Sequence, residues 1–234
     1  MRTPSNITKG HRVLIGTPTS DNKNYCLEEF IVRVKSFSYK NYDVLIVDNS
    51  ANRHNYKRFI SEGFKVIYVK PKDKSIQNIL AESHEAIREY AIKHKYSYLL
   101  HLESDIIPPT DVIERLMIHN LPIVSAMYMI NFGEESHLMA QKIEDFGEIR
   151  ETINMKEGAD LMMVDGKLKE VFSCGLGCVL IHKNILTQFK FRWDRNTTLH
   201  PDALFSLDTN GLGIRKYIDS SILCEHYNSA WIYT

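Results

Sequence analysis

No stretch of this sequence stays apolar for the ~18–20 residues that a membrane-crossing helix requires. The longer apolar runs, such as Val13-Leu14-Ile15 and Val44-Leu45-Ile46-Val47, are strand-sized. Residues 1–11 are polar and hold no apolar h-region, so no secretory signal is expected. An excess of charge is missing too. Lys plus Arg number 29 and Asp plus Glu number 29, a balance that argues against a general nucleic-acid binder. Cysteine is sparse. Cys26, Cys174, Cys178 and Cys224 match neither a zinc ribbon nor a redox CxxC pair. They read as reduced thiols of a cytoplasmic protein, with a Cys174–Cys178 disulfide as the lesser alternative.

Several chemical signatures are also absent. No GxGxxG follows the first strand, and there is no GxxxxGK[ST], GxSxG or HExxH. Those absences argue against a dinucleotide-binding Rossmann enzyme, a P-loop nucleotidase, an α/β-hydrolase and a zincin. Internal repeats and low-complexity tracts are lacking as well.

What is present is a globular composition, 44% hydrophobic and 25% charged over 234 residues. That length buries a core without disulfides or metal staples and predicts one domain over 1–234. Within it, residues 1–11 form a tail, 12–128 a first half and 129–234 a second. In the first half, short apolar runs alternate with helix-period segments. Arg12-Val13-Leu14-Ile15-Gly16 reads as a strand ending in a turn at Thr17-Pro18-Thr19-Ser20-Asp21. Leu27, Phe30, Ile31 and Val34 mark a helix, and Tyr42 to Val47 a second strand closed by Asp48-Asn49-Ser50. A short helix over 56–62, a strand over 65–69 and a longer helix from Ile76 to Ala91 follow. Tyr98-Leu99-Leu100-His101-Leu102 then breaks at Glu103-Ser104-Asp105.

Apolar strands separated by helices predict a mostly parallel sheet covered on both faces. In such sheets ligands bind beyond the carboxyl ends of the strands, which singles out Thr17, Asp48 and Glu103-Ser104-Asp105. In the second half, residues 131–160 show little periodicity and read as a long loop with some helix, a candidate lid. Asp165-Gly166 between apolar runs predicts a hairpin with a type I′ turn.

Glu103 and Asp105, if extended, point to one side. Two such carboxylates repel unless a cation or hydroxyl donors lie beside them, and oxygen ligands of this kind suit magnesium or manganese. The alternative is an acidic turn capping the next helix. Asp202, after Pro201, equally reads as a helix N-cap, and His226 as one of ten histidines that includes many surface and core residues.

Taken together, the strand-end Thr17-Pro18-Thr19, Val47-Asp48-Asn49-Ser50 and Leu102-Glu103-Ser104-Asp105 resemble the GT-A fold glycosyltransferases, specifically the family 2-like enzymes. Val171 to Ile181 resembles that family's Gly-x-Gly strand. The spacings Asp202 to Gly213 (eleven residues), Gly213 to Asp219 (six) and Asp219 to His226 (seven) also match its pattern. The likeness spans residues 12–228.

It implies an α/β, Rossmann-like nucleotide-diphospho-sugar transferase fold. The implied activity moves a sugar from a nucleoside diphosphate donor to a glycan, lipid or protein hydroxyl, with inversion expected. Thr17 and Pro18 would line the base pocket, and Asp48 would accept a hydrogen bond from base or ribose. Glu103 would face the ribose or a metal-bound water. Asp105 would bind Mn2+ or Mg2+, His226 would complete the metal or diphosphate site, and Asp202 would be the general base.

The sequence departs from the family pattern in Pro201 before the base, Glu82-Ser83 where relatives carry Arg-Asn, and Glu103 in place of Asp. Lys72 and Lys74 are alternative diphosphate partners. A GT-A-like nucleotidyltransferase, or a binding module without activity, are the competing readings.

Overall fold

In the computed structural model, residues 10–51, 53–70, 75–132, 135–141, 152–154 and 164–227 are described. The apolar runs of the first half become β1 (Val13–Thr19), β2 (Tyr42–Asp48), β3 (Lys65–Tyr68) and β4 (Tyr98–Leu102). Between them lie a 3-10 turn (Asp21–Cys26) and α1 (Leu27–Lys35), then α2 (His54–Ser61) and α3 (Ile76–Lys93). Then come β5 (Ile106–Ile107), α4 (Val112–Met117), β6 (Ile123–Met127), β7 (Met129–Phe132), β8 (Glu135–Gln141) and β9 (Thr152–Asn154). The remaining elements are β10 (Leu168–Val171), β11 (Ser173–Cys174), β12 (Cys178–His182), α5 (Lys183–Leu186), α6 (Pro201–Gly211), β13 (Lys216–Leu223) and β14 (Glu225–His226).

Eight strands form one sheet in the order β10-β13-β6-β12-β4-β1-β2-β3. The run β3-β2-β1-β4 is parallel. β12 enters antiparallel between β4 and β6, while β13 runs parallel to β6. The expected mostly parallel α/β sheet is therefore present, with β10 and β12 as its reversed strands.

Successive strand residues point to opposite faces, so each strand feeds two cores. Val13, Ile15, Val44, Ile46, Leu100 and Leu102 pack with Phe30, Val34 and Leu116 of α1 and α4. Leu14, Leu45, Val47 and Leu99 pack with Ile87 and Ala91 of α3 and Phe205 of α6. Burial on both faces is why these strands read as continuous apolar runs.

The structure corrects three local expectations. β1 does not end before Thr17 but runs on to Thr19 through Pro18. β4 pairs with β1 only as far as Gly16, so Pro18 lies where β2 is the sole neighbour and its missing N–H breaks no ladder on that open side. The described parts of 131–160 are strand, not loop and helix. β7, β8 and β11 form a small antiparallel sheet, with β9 on β8; residues 133–134, 142–151 and 155–160 lie outside the described residues. Asp165-Gly166 is not a type I′ turn. Gly166 has φ +76°, but Asp165 is absent from the positive-φ residues, and a I′ turn needs both. β10 pairs instead with β13, and the apolar run at 161–163 lies outside the described residues. The expected reduced thiols are present, and Cys174 and Cys178 are not bridged. All four cysteines are free and buried, and the neighbouring Cys224 together with burial raises the pKa of the Cys178 thiol.

Candidate functional site

At the carboxyl end of β4 the chain turns sharply. The Ile106 N–H bonds the Glu103 carbonyl, and the Glu103 N–H bonds the Gly177 carbonyl at 2.9 Å. Glu103 and Asp105 are thus brought together by a turn and not by extended alternation. Ser104 between them is buried, its hydroxyl 3.4 Å from that of Thr19 at the end of β1. β14 lies antiparallel on β5, and the Tyr227 N–H bonds the Asp105 carbonyl at 2.9 Å. That pairing carries His226 to the same corner. Its Nε2 lies 3.5 Å from Asp105 Oδ2.

Asp105 is fully buried and crowded with cationic and polar partners. Lys23, from the 3-10 turn, forms a short ion pair with Oδ2, and the Tyr25 hydroxyl donates to the same oxygen at 3.2 Å. Burial raises the pKa of Asp105, but His226 and Lys23 outweigh it, and the net shift is down. Glu103 goes the other way. Burial first, then the Asp105 charge, push it up to about 7.

The His226 ring is oriented by its far side. Nδ1 lies 2.6 Å from the Met129 carbonyl, which can only accept, so Nδ1 carries a proton and Nε2 is turned to Asp105. Tyr128 stands edge-on to that ring at 5.6 Å. Its hydroxyl accepts a 3.0 Å hydrogen bond from the Gly177 N–H. A Cβ at Gly175 would meet the Tyr128 hydroxyl at 2.1 Å, and one at Gly177 the ring carbon at 2.5 Å. Gly175-Leu176-Gly177 therefore holds glycines because Tyr128 lies against the backbone. Between them the Leu176 carbonyl accepts from His101 Nδ1 at 2.6 Å. His101 Nε2 then accepts from His84 Nδ1 at 2.7 Å. Burial holds both rings below the usual histidine range, His101 at about 4.

Asp202 is not the N-cap. That position belongs to His200, Pro201 opens the helix, and Asp202 sits in the first turn of α6 with Oδ1 2.8 Å from the Ala203 N–H. Burial raises its pKa. Its charge is felt at both Glu103 and Tyr128, which places it in the same neighbourhood.

Thr17 and Asp48 are fully buried on neighbouring strands. Asp48 Oδ1 accepts from the Ser50 N–H at 2.9 Å. Asp48 Oδ2 and Thr17 Oγ1 have no hydrogen-bond partner. Pro18 opposes Val47 between them. Ser83, at one departure from the family pattern, accepts from the Asn49 side chain at 3.1 Å. Lys72 and Lys74 lie outside the described residues.

The structure therefore brings Glu103, Asp105 and His226 together, sets Asp202 within electrostatic reach, and leaves Thr17 and Asp48 beneath the surface. Sequence reasoning missed Lys23, Tyr25 and Tyr128. Lys23 and Tyr25 carry no motif and reach Asp105 across 82 and 80 residues of chain. Tyr128 had a readable sign in the two glycines it requires.

The chain's arrangement resembles several solved structures. One is A197 from STIV (TM-score 0.53, 16% identity, covering 94% of this chain and 87% of that one). Another is S. aureus TarS 1-349 in complex with UDP (0.59, 9%, 94% and 62%). A third is GalNAc-T7 with UDP, GalNAc and Mn2+ (0.64, 11%, 92% and 44%). The chain thus has the GT-A fold. It spans less than two thirds of the TarS and GalNAc-T7 chains. No known family profile matches the sequence. No curated protein matches it either.

Proposed function

We propose that this chain is a glycosyltransferase that moves a sugar from a nucleoside diphosphate donor to an acceptor hydroxyl, with inversion at the anomeric carbon. The observation that carries the reading is the corner where Glu103, Asp105 and His226 meet at the carboxyl end of β4, in a fold shared with UDP complexes. Ligands of open α/β sheets bind beyond that end.

The donor set fits a divalent cation, Mn2+ or Mg2+. Asp105 Oδ2 and His226 Nε2 face each other at 3.5 Å, and His226 is oriented by a carbonyl on its far nitrogen, as metal-ligating histidines are. Among the described residues no group of three or more His, Cys, Asp and Glu encloses an ion, so the protein would supply Asp105 and His226 and leave other positions to diphosphate oxygens and water. When bound, such an ion neutralises charge growing on the leaving diphosphate.

Asp202 is the proposed general base. Its burial raises its affinity for a proton, so it can take one from the acceptor hydroxyl as that oxygen attacks. Glu103 would receive a ribose hydroxyl or a bound water. Thr17, Pro18 and Asp48 are assigned to the base and ribose. For Thr17 and Asp48 this requires the strand ends to open, and their partnerless oxygens would then gain donors. The acceptor is a glycan, a lipid or a protein. No helix among the described residues is long and apolar enough to cross a membrane. Four buried free thiols support the cytoplasm as the compartment.

Titration calorimetry of UDP, with Mn2+ and with a chelator, tests the reading. Tight binding that weakens at least tenfold in chelator supports donor and metal together. Equal binding in both removes the metal, and no binding of any nucleoside diphosphate removes the function.

A further inference from the structure

Asp105 has two oxygens in different circumstances. Oδ1 is buried and has no hydrogen-bond partner, while Oδ2 receives Lys23, Tyr25 and the His226 edge. An ammonium therefore stands where a metal shared by Asp105 and His226 would draw its charge. Lys23 comes from the 3-10 turn that directly follows β1, and its side chain is 22% exposed, against none for Asp105. It can leave toward solvent; Asp105 cannot follow it.

A single positive charge cannot match a divalent ion at a buried carboxylate. Nor can it remain beside that ion, because the two cations repel at contact distance. A displaced Lys23 on the same short turn stays within reach of whatever the ion binds, and a diphosphate is the group there with negative charge to offer. Lysine suits this exchange, being a compact charge on a flexible stem.

We propose that Lys23 is an exchangeable cation: it neutralises Asp105 before the metal arrives, yields Oδ2 to the metal, and then holds the donor's diphosphate. The inference rests on the donor-and-metal reading above, and it assigns Lys23 a role opposite in sign in the two states. It obstructs metal when nucleotide is absent, and it assists nucleotide when metal is present.

The wild-type protein tests this by amine-reactive labelling read by mass spectrometry at Lys23. Mn2+ alone should speed labelling at least threefold over chelator, and adding UDP to the Mn2+ sample should slow it again. Paired titrations give the second readout. Lys23→Met and Lys23→Gln should bind Mn2+ at least tenfold more tightly than wild type without nucleotide. The same variants should bind UDP at least fivefold more weakly at saturating Mn2+, and Lys23→Arg should lie closer to wild type in both. A merely structural lysine would not move the two affinities in opposite directions. Labelling indifferent to Mn2+ overturns the proposal, as do variants in which both affinities fall together. If UDP binds while Lys23 labelling does not respond, only the role of Lys23 fails. If neither Mn2+ nor UDP binds wild type, the donor reading fails with it.

Discussion

Glu103 and Asp105 are two residues apart and are pushed in opposite directions, one carboxyl up to about 7 and the other down. Position in the turn decides this, since Asp105 alone meets Lys23 and Tyr25. The acidic pair was legible because a broken apolar strand announces it. The cation beside it was not, because contacts across 82 residues leave no local pattern. Asp202 was found through spacing, and its role is testable by one change. Asp202→Asn should leave UDP affinity within about twofold and lower transfer by ~10²–10⁴-fold, the range of general-base catalysis. Transfer near the wild-type rate would give the proton to another group.

The buried histidines make a second residue-scale prediction. His101 is held at about 4 by burial, below its ordinary 6.5, and His84 is shifted the same way. Between those values the unfolded chain binds more protons than the folded one, so stability rises with pH there. Stability is complete above about 6.5 and falls as pH drops toward 4, by as much as ~1.4 kcal/mol per unit for each such group. Denaturant midpoints at pH 7 and 5 should show this loss, and His101→Gln should flatten the slope. A slope unchanged in that variant would mean other groups set the pH dependence.

At the scale of elements, the first-half strands β2, β3 and β4 are legible as compact apolar runs, while β1 runs three residues past its expected end. β4 has the bounds expected from its apolar run, and β2 and β3 differ by one residue at one end. Reading failed where partners are distant. β10 was assigned to a hairpin across Asp165-Gly166, yet its ladder is with β13, some fifty residues on. The small sheet of β7, β8 and β11 escapes sequence reading because its strands lack steady alternation, and two of them meet across about thirty residues. The β11–β12 connection offers a direct test of the Tyr128 contact. Gly177→Ala sets a methyl carbon 2.5 Å from the ring, so stability should fall by about 1–3 kcal/mol in chemical denaturation. Tyr128 has its hydroxyl on the Gly177 N–H, which limits how far the ring can retreat. A variant as stable as wild type would show that the ring yields freely.

At the scale of the molecule, six of the eight main-sheet strands run one way, and the proposed donor site gathers at their carboxyl ends. A ligand held by β1, β4 and β14 together should stabilise the whole fold. UDP with Mn2+ at one hundred times its dissociation constant should add ~2.7 kcal/mol of apparent stability. A rise in melting temperature with UDP and Mn2+ together, larger than with either alone, is the expected outcome. No rise with any nucleoside diphosphate would argue against a donor site of this kind. The neutral charge of the chain acquires a local meaning here. It conceals a buried carboxylate already matched by a lysine.

β12 enters the sheet between β4 and β6, although it follows both in the chain. During synthesis, the facing edges of those two strands must therefore wait until residue 182 has left the ribosome. Unpaired strand edges are templates for pairing with other chains. His226 emerges later still, 97 residues after the Met129 carbonyl that orients it. At ~5–20 residues per second that is an interval of roughly 5–20 seconds. The proposed donor corner is consequently among the last parts to be completed, and a nascent chain stalled before β14 would carry most of the sheet but lack His226 beside Asp105.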